Sequence, residues 1–419
     1  MTVEITTLKN GLRVVTETLP HVETASLGVW VDVGARYETR ELHGVSHLLE
    51  HMVFKGTKGR SAAKIATAIE DVGGHLNAFT SREHTTYYAK VMKGDLALAA
   101  DLLGDLIQNP AFAQQELKRE QEVILQEIGQ VKDTPDDLVF DHLQETAFPD
   151  QPLGQSILGT EQTVPSFTPA TLQRHMAHHY AAPEMVLAGA GKLAHGDVAA
   201  LAEEHFSALA PKNGADFGKA RYRGGEKRDP RELEQLHLAL GFQSCSYFDA
   251  DYYATQVFAT ILGGGMSSRL FQEIREKRGY AYSVYAFNAS LADTGLLSIY
   301  AGTGPEFARD LLLIAAREMQ SLAGKIPAEE IARAKTQLKS GLFMSLESTS
   351  ARMEQIGRQM LIFGKSIPVS ELVEKVEAVD EASVNRVAKR LLASPLSFAG
   401  IGEVSVLPDY EGIAKLFRA

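Results

Sequence analysis

The sequence is short of cysteine: Cys245 is the only one among 419 residues. A single thiol excludes a disulfide within the chain, and it also excludes a zinc site built from several cysteines. A reducing compartment suits such a chain. Any metal site must therefore use other ligands.

Long apolar runs and an excess of basic residues are also missing. No stretch approaches the roughly 20 apolar residues that cross a bilayer, and the first residues show neither a basic region with an apolar core nor an Arg-rich amphipathic presequence. We therefore expect a cytosolic (cytoplasmic) protein, or one that has already lost a targeting segment. The net charge of -11 argues against nucleic acid and mildly favours cationic partners, although solubility alone is the simpler explanation.

The strongest chemical signal is segment 44–56, which contains His47, Glu50 and His51. On a helix, the two histidines are four residues apart and share one face, where they can take two corners of a tetrahedral zinc site. Glu50 lies beside that face and can act on a water as general base. The flanking residues are apolar, and a polar trio on a buried helix is costly unless it has a function.

The motif alone leaves zinc chemistry open. With 13 histidines in the chain, a chance HxxEH is expected in roughly a few per cent of such chains, although this order is the inverzincin order of metallopeptidases. A rival pair, His175 and His179, has no carboxylate at the spacing of a general base, and we interpret it as a structural or surface helix end. A third ligand and a substrate site must come from elsewhere in the chain.

The second half of the chain repeats the first, weakly but in order. The matching pairs are 236–240 with 25–33, 304–305 with 94–95, and 394–402 with 183–191. We therefore predict an α+β protein with two homologous αβ domains of similar size, each a mostly antiparallel sheet packed with helices. Two unrelated α+β domains are the weaker alternative, because the matching segments occur in the same order in both halves.

Domain boundaries are predicted from a change in composition. Between about 207 and 232 the chain is rich in Pro, Gly, Lys, Arg and Asp and shows little periodicity, which indicates a linker. We predict an N-terminal domain over residues 1–210, a linker over 211–232, and a C-terminal domain over 233–419. Two domains suit the length, since single cores rarely grow to 419 residues.

The two copies differ in the residues that could bind metal. Residues 258–265 stand in the second copy where the first has its histidines. Glu120 and Glu127 are seven residues apart and share one face of a helix predicted over 114–131, whereas the matching stretch of the second copy has no carboxylate. Only the N-terminal half can therefore carry metal.

These residues resemble the pitrilysin-type (M16) zinc metallopeptidases, and within them the β subunit of mitochondrial processing peptidase and its bacterial homologues. The resemblance covers nearly the whole chain, and its most specific segments are 44–56, 74–83, 119–127 and 137–154. It implies a zinc endopeptidase with one Zn2+ per chain. His47, His51 and Glu127 match the three ligands of the metal.

The resemblance also implies roles that spacing leaves undecided. Glu120 matches a glutamate that supports the ligands. Arg275 and Tyr282 match a pair from the second domain that contacts the substrate backbone near the scissile bond; without the resemblance, local packing of the two would be the simpler interpretation. An edge strand that binds extended peptide by β-augmentation is matched by Asn77, Ala78 and Phe79.

Asp137 and Asp141 lie four residues apart on a helix that Thr134-Pro135 opens, so their carboxylates can converge. A solvated acidic face is the simple interpretation. The resemblance favours a substrate site instead, because these positions match acidic residues that receive an arginine two residues before the cut. The position of Asp137 is occupied by glutamate in that family.

The short glycine stretch 263–265 departs from the long glycine-rich loop found in the family's inert α subunit. A long loop that handles presequences is therefore in doubt.

The sequence thus predicts a zinc-dependent endopeptidase that cleaves extended peptides or precursor segments and prefers arginine two residues before the cut. One alternative is a general oligopeptide-degrading metallopeptidase, which the sequence separates poorly from a processing enzyme. Another is a non-catalytic structural subunit, against which the complete set of His47, Glu50, His51 and Glu127 argues. The expected partner is a second copy, or a related subunit, that closes a chamber around the peptide.

Overall fold

The computed structural model describes residues 2–211 and 217–418. Its strands are β1 Val3–Thr7, β2 Arg13–Thr18, β3 Thr24–Val31, β4 His75–Thr80, β5 Thr85–Met92, β6 Met185–Gly191, β7 Gly225–Pro230, β8 Leu236–Ser244, β9 Ala281–Ser290, β10 Gly295–Thr303 and β11 Ser397–Gly402. Its helices are α1 Val45–Val53, α2 Ala62–Glu70, α3 Leu96–Gln108, α4 Gln114–Lys132, α5 Pro135–Ala147, α6 Pro169–His179, α7 His195–Phe206, α8 Tyr252–Gly263, α9 Ala308–Ser321, α10 Ala328–Ser345, α11 Thr349–Phe363, α12 Val369–Glu377, α13 Glu381–Ala393 and α14 Tyr410–Phe417. None of these helices combines the length and the apolar composition needed to cross a membrane.

The first of two compact units comprises Met1–Gly129, Gln155–Phe217 and Leu342–Pro368. Its sheet has the order β1-β2-β6-β3-β5-β4, in which β2 and β6 run parallel and the other neighbours antiparallel. β3 and β6 are almost entirely buried and apolar, because helices cover both faces of the sheet. Helices α1, α3 and α7 share a core with one face, and α11 packs on the other.

The second unit comprises Gln130–Gly154, Gly218–Gly341 and Val369–Ala419. Its sheet has the order β7-β11-β8-β10-β9, again with one parallel pair, β7 and β11, among antiparallel neighbours. This repeats the first sheet position by position without β1. The predicted fold of two homologous αβ domains is therefore confirmed.

Each half of the chain contributes one helix to the other unit. Helix α11, from the second half, places Met353 and Ile356 against Trp30 in the first unit. Helix α5, from the first half, packs Val139 and Leu143 on the sheet of the second unit. The units therefore differ from the predicted blocks 1–210 and 233–419 in these segments, because periodicity shows that a helix has an apolar face without showing which sheet it covers.

The region predicted as a linker, 211–232, contains a strand. Gly225–Pro230 pairs in parallel with β11 at the edge of the second sheet, and Gly224 precedes it with a φ of +76° that favours glycine. The structure thus corrects the linker prediction for these residues. The sequence of this strand lacks the alternating apolar pattern of a buried strand, because an edge strand tolerates charged side chains. Residues 212–216 of the predicted linker lie outside the described residues.

A buried ion pair fastens α11 to its sheet. Glu17 of β2 and Arg352 of α11 hydrogen-bond each other, and their side chains are only 2% and 4% exposed. Removing one partner leaves a buried charge unpaired, which costs about 3–5 kcal/mol. We expect Arg352→Met to lower the free energy of unfolding by about that amount, measured by urea denaturation with the fluorescence of Trp30, the only tryptophan.

The matched control removes both charges. A double variant, Glu17→Met with Arg352→Met, should recover much of the lost stability, because an apolar pair needs no charge compensation. A single variant as stable as the wild type would show that the pair does not hold α11 in place.

Candidate metal centre

Helix α1 presents the polar trio because its two faces differ sharply. Its apolar residues are buried against the first unit's core, whereas His47, Glu50 and His51 are only partly buried. Its N-terminus carries no capping side chain of its own, since Gly44 is the N-cap residue and has a φ of +94°. The carboxylate of Glu38 takes that role, accepting the backbone N–H groups of Gly44 at 2.7 Å and Ser46 at 2.8 Å.

Glu127 of α4 meets the two histidines. One ligand atom from each of His47, His51 and Glu127 lies within 4.8 Å of the others, and no second group of three such ligands occurs among the described residues. The Nε2 atoms of His47 and His51 each lie 3.8 Å from an oxygen of the Glu127 carboxylate. Two imidazoles and one carboxylate form the three-ligand set typical of a catalytic zinc site.

Two observations show that this set fits a metal ion. The Oε2 atom of Glu127 is buried and accepts no hydrogen bond from the described residues, which is costly unless a cation takes that oxygen. Burial, with a smaller effect of His51, lowers the pKa of His47 to about 4. His47 is therefore neutral at pH 7, and the neutral imidazole is the form that binds zinc.

Glu120 contacts one of the candidate ligands, His51. Its Oε2 lies 3.0 Å from Nδ1 of His51, and its Oε1 lies 2.8 Å from Nζ of Lys55. Because a carboxylate only accepts, Nδ1 of His51 carries the proton and Nε2 is left for the metal. His47 has no such support: its Nδ1 is buried without a hydrogen-bond partner among the described residues.

Lys55 is a contact that the sequence reasoning missed. It neutralises Glu120, which is 5% exposed and would otherwise be a buried anion facing a histidine. Lys55 follows His51 by four residues, a spacing that places both side chains on the same side of a helix and could have indicated the contact.

Glu50 lies beside the ligands in a partly buried position. Burial raises its pKa, while hydrogen bonds from Thr80 and the nearby His51 lower it in part. The Thr80 hydroxyl donates to Oε2 of Glu50 at 2.6 Å. A carboxylate with a raised pKa is a better proton acceptor near neutral pH than a free one.

The residues predicted to hold peptide backbone lie on β4. This strand is the last of the first sheet and pairs with β5 on one side only, within the described residues. Asn77, Ala78 and Phe79 therefore lie on an edge where an added strand could pair. Phe79 contacts the rings of His84 and Tyr88.

Arg275 and Tyr282 lie together in the second unit. Nη1 of Arg275 donates to the backbone oxygen of Tyr282 at 2.8 Å, and its guanidinium lies 4.4 Å from the centre of the tyrosine ring. Tyr282 is 75% exposed, so its phenol is accessible. The acidic pair is in the same unit on α5, with Asp137 exposed and Asp141 partly buried.

His175 and His179 do not form a second metal site among the described residues. Their rings are 4.5 Å apart, and Nε2 of His175 lies 3.2 Å from the Ser46 hydroxyl at the start of α1. Burial lowers the pKa of His175 to about 3. The pair packs inside the first unit as neutral rings, in line with the structural interpretation.

Comparison with protein families finds matches over most of the chain. Residues 13–161 match the model described as insulinase, peptidase family M16, and residues 166–338 match the model described as peptidase M16 inactive domain.

Two relatives and one solved structure are similar to this chain over nearly its whole length. An uncharacterized zinc protease of Rickettsia bellii is 40% identical over 399 residues, which are 95% of this chain and 97% of the relative. A probable mitochondrial-processing peptidase subunit β of Arabidopsis thaliana is 40% identical over 422 residues, covering 97% of this chain and 79% of the relative. A crystal structure of a peptidase M16 inactive domain from Pseudomonas fluorescens superposes with a TM-score of 0.89 over 96% of this chain and 98% of the other, at 21% identity, a likeness of fold.

Proposed function

Because the chain belongs to peptidase family M16, we propose that it is a zinc-dependent endopeptidase that cleaves extended peptides or precursor segments. The convergence of His47, His51 and Glu127 carries the proposal. These ligands come from two helices far apart in sequence, and Glu50 stands beside two of them. A non-catalytic subunit would have no need of this combination.

Zinc bound by these three residues would supply a Lewis acid that polarises the scissile carbonyl and makes a water more acidic. Glu50 accepts a proton from the attacking water and returns it to the leaving amine. Glu120 holds His51 in the tautomer that leaves Nε2 free. Arg275 and Tyr282 provide donors suited to a substrate carbonyl or oxyanion.

The experiment that tests this function combines metal analysis with cleavage of a random peptide library. Purified protein should contain about one zinc ion per chain, cleave within peptides, lose activity to a chelator and regain it with added zinc. Zinc binding without cleavage of any peptide would favour the non-catalytic subunit. The cleavage-site profile separates a processing enzyme from a general oligopeptidase.

Asp137 and Asp141 carry the prediction on specificity. A carboxylate pair suits guanidinium better than ammonium, because the planar fork bonds both oxygens. We expect wild-type cleavage sites to favour arginine two residues upstream of the cut, with lysine between arginine and neutral residues.

The variant Asp137→Asn with Asp141→Asn should lose this preference and keep cleavage of neutral peptides. Exposed Glu145 lies on the same helix, and Glu145→Gln serves as the control that should leave the profile unchanged. If the wild-type cleavage profile shows no preference for basic residues, the processing-enzyme proposal is wrong and the general oligopeptidase remains.

We include in the proposal a cytoplasmic location, which the lone thiol of Cys245 suits, and a second chain that closes a chamber around the peptide. The second chain is a copy of this one or a related subunit. Light scattering of the purified protein distinguishes a homodimer from a chain that requires another subunit.

A further inference from the structure

Thr80 ends β4 on the side of the strand that faces α1. Side chains alternate along a strand, and Leu76 and Ala78 pack against the first unit's core. Thr80 follows them at the same spacing of two, and β4 contacts α1. The alternation that turns Asn77 and Phe79 to the opposite face therefore turns the Thr80 hydroxyl towards Glu50.

The contact between these side chains is short. Oγ1 of Thr80 donates to Oε2 of Glu50 at 2.6 Å, and no other described side chain hydrogen-bonds Glu50. A hydrogen bond to a carboxylate is stronger than one between neutral groups. Threonine is also stiff at χ1, so its hydroxyl is a well-fixed donor.

The backbone around Thr80 is fixed as well. Thr80 is paired with Thr85 across the antiparallel strands β4 and β5. The turn that follows is closed by Ser81, whose backbone N–H and hydroxyl both donate to the carbonyl oxygen of His84 at 2.8 Å. The donor to Glu50 thus sits at the hydrogen-bonded end of the hairpin.

We propose that Thr80 is a positioning residue for the general base. Its hydroxyl holds one oxygen of the Glu50 carboxylate and so fixes the orientation in which Glu50 accepts a proton. This inference rests on the proposed function, since it requires Glu50 to act as the base. It adds a role for the strand that carries Asn77, Ala78 and Phe79: the same element that would pair with peptide also aligns the catalytic carboxylate.

The test uses Thr80→Val, which keeps the shape and removes the hydroxyl, in the zinc-loaded full chain. We expect kcat to fall by about tenfold to a hundredfold, with KM and zinc content unchanged. Thr80→Ser keeps the hydroxyl and should restore most of kcat.

Thr86→Val is the matched control. Thr86 lies on the neighbouring strand β5, and its buried hydroxyl has no hydrogen-bond partner among the described residues. The same substitution there should leave kcat unchanged. An equal loss of kcat in Thr86→Val would show that the sheet, not the contact to Glu50, is sensitive, and would overturn the proposal.

A double variant separates this inference from the proposed function. In a Glu50→Gln background, Thr80→Val should cause no further loss, because the two residues act through one step. An unchanged kcat in Thr80→Val alone, or a full additional loss in the double variant, overturns the role of Thr80 while the peptidase stands. If the wild-type protein cleaves no peptide, the proposed function itself is wrong.

Discussion

We expect Glu50→Gln to lower kcat by about a hundredfold to ten-thousandfold and to leave zinc content and fold intact. The amide has nearly the shape of the carboxylate but does not accept a proton at neutral pH. Glu50 is not one of the three residues whose ligand atoms converge, so its replacement spares the metal site. Single-turnover cleavage of a fluorescent peptide, with metal analysis of the same sample, measures both quantities.

Glu41→Gln is a suitable control for this variant. Glu41 is exposed and precedes the motif helix by a few residues, so the change removes a charge without touching the trio. Its kcat should match the wild type. Near-wild-type turnover in Glu50→Gln would show that another group accepts the proton, and the proposed mechanism would be wrong.

We expect Glu127→Gln to lose stoichiometric zinc binding and, with it, peptide cleavage. Replacement of residues that merely orient a ligand costs about tenfold to a hundredfold in metal affinity, so loss of a ligand itself should cost more than a hundredfold. The amide also removes the negative charge that would balance the metal beside the two histidines. Competition with a zinc-binding dye measures the affinity directly.

Glu122→Gln is the control on the same helix. Glu122 of α4 is exposed and is not part of the convergent group, so this variant should bind zinc as the wild type does. Full metal occupancy in Glu127→Gln would place the third ligand elsewhere and would remove the main support for the proposed site.

The fold could be predicted from the sequence where a local pattern recurs. The alternation at 236–240 and the paired glycine-rich strands at 183–191 and 394–402 occupy matching positions of the two sheets. The exchange of α5 and α11 could not be predicted, because an apolar stripe does not specify its partner. β7 was missed because its charged edge sequence lacks the pattern of a buried strand.

In the candidate site, too, the local features could be predicted from the sequence and the long-range contacts could not. The spacing of His47, Glu50 and His51 is local, and a helix brings them to one side. The convergence of Glu127 on them depends on the tertiary structure that brings side chains of α4 to those of α1. The resemblance, not the spacing, predicted it. The contacts of Lys55 and Thr80 join side chains whose geometry no short motif encodes.

The exchange of helices bears on how the chain folds during synthesis. β6, the strand of the first sheet that comes latest in the sequence, ends at Gly191, but the helix that covers Trp30 begins only at Thr349. A ribosome adding about 5–20 residues per second needs on the order of ten to thirty seconds for the intervening stretch. Throughout that interval the nascent chain carries an apolar sheet face without its native cover. The first unit therefore cannot complete its fold before α11 has been made, by which point most of the second unit has also been synthesised.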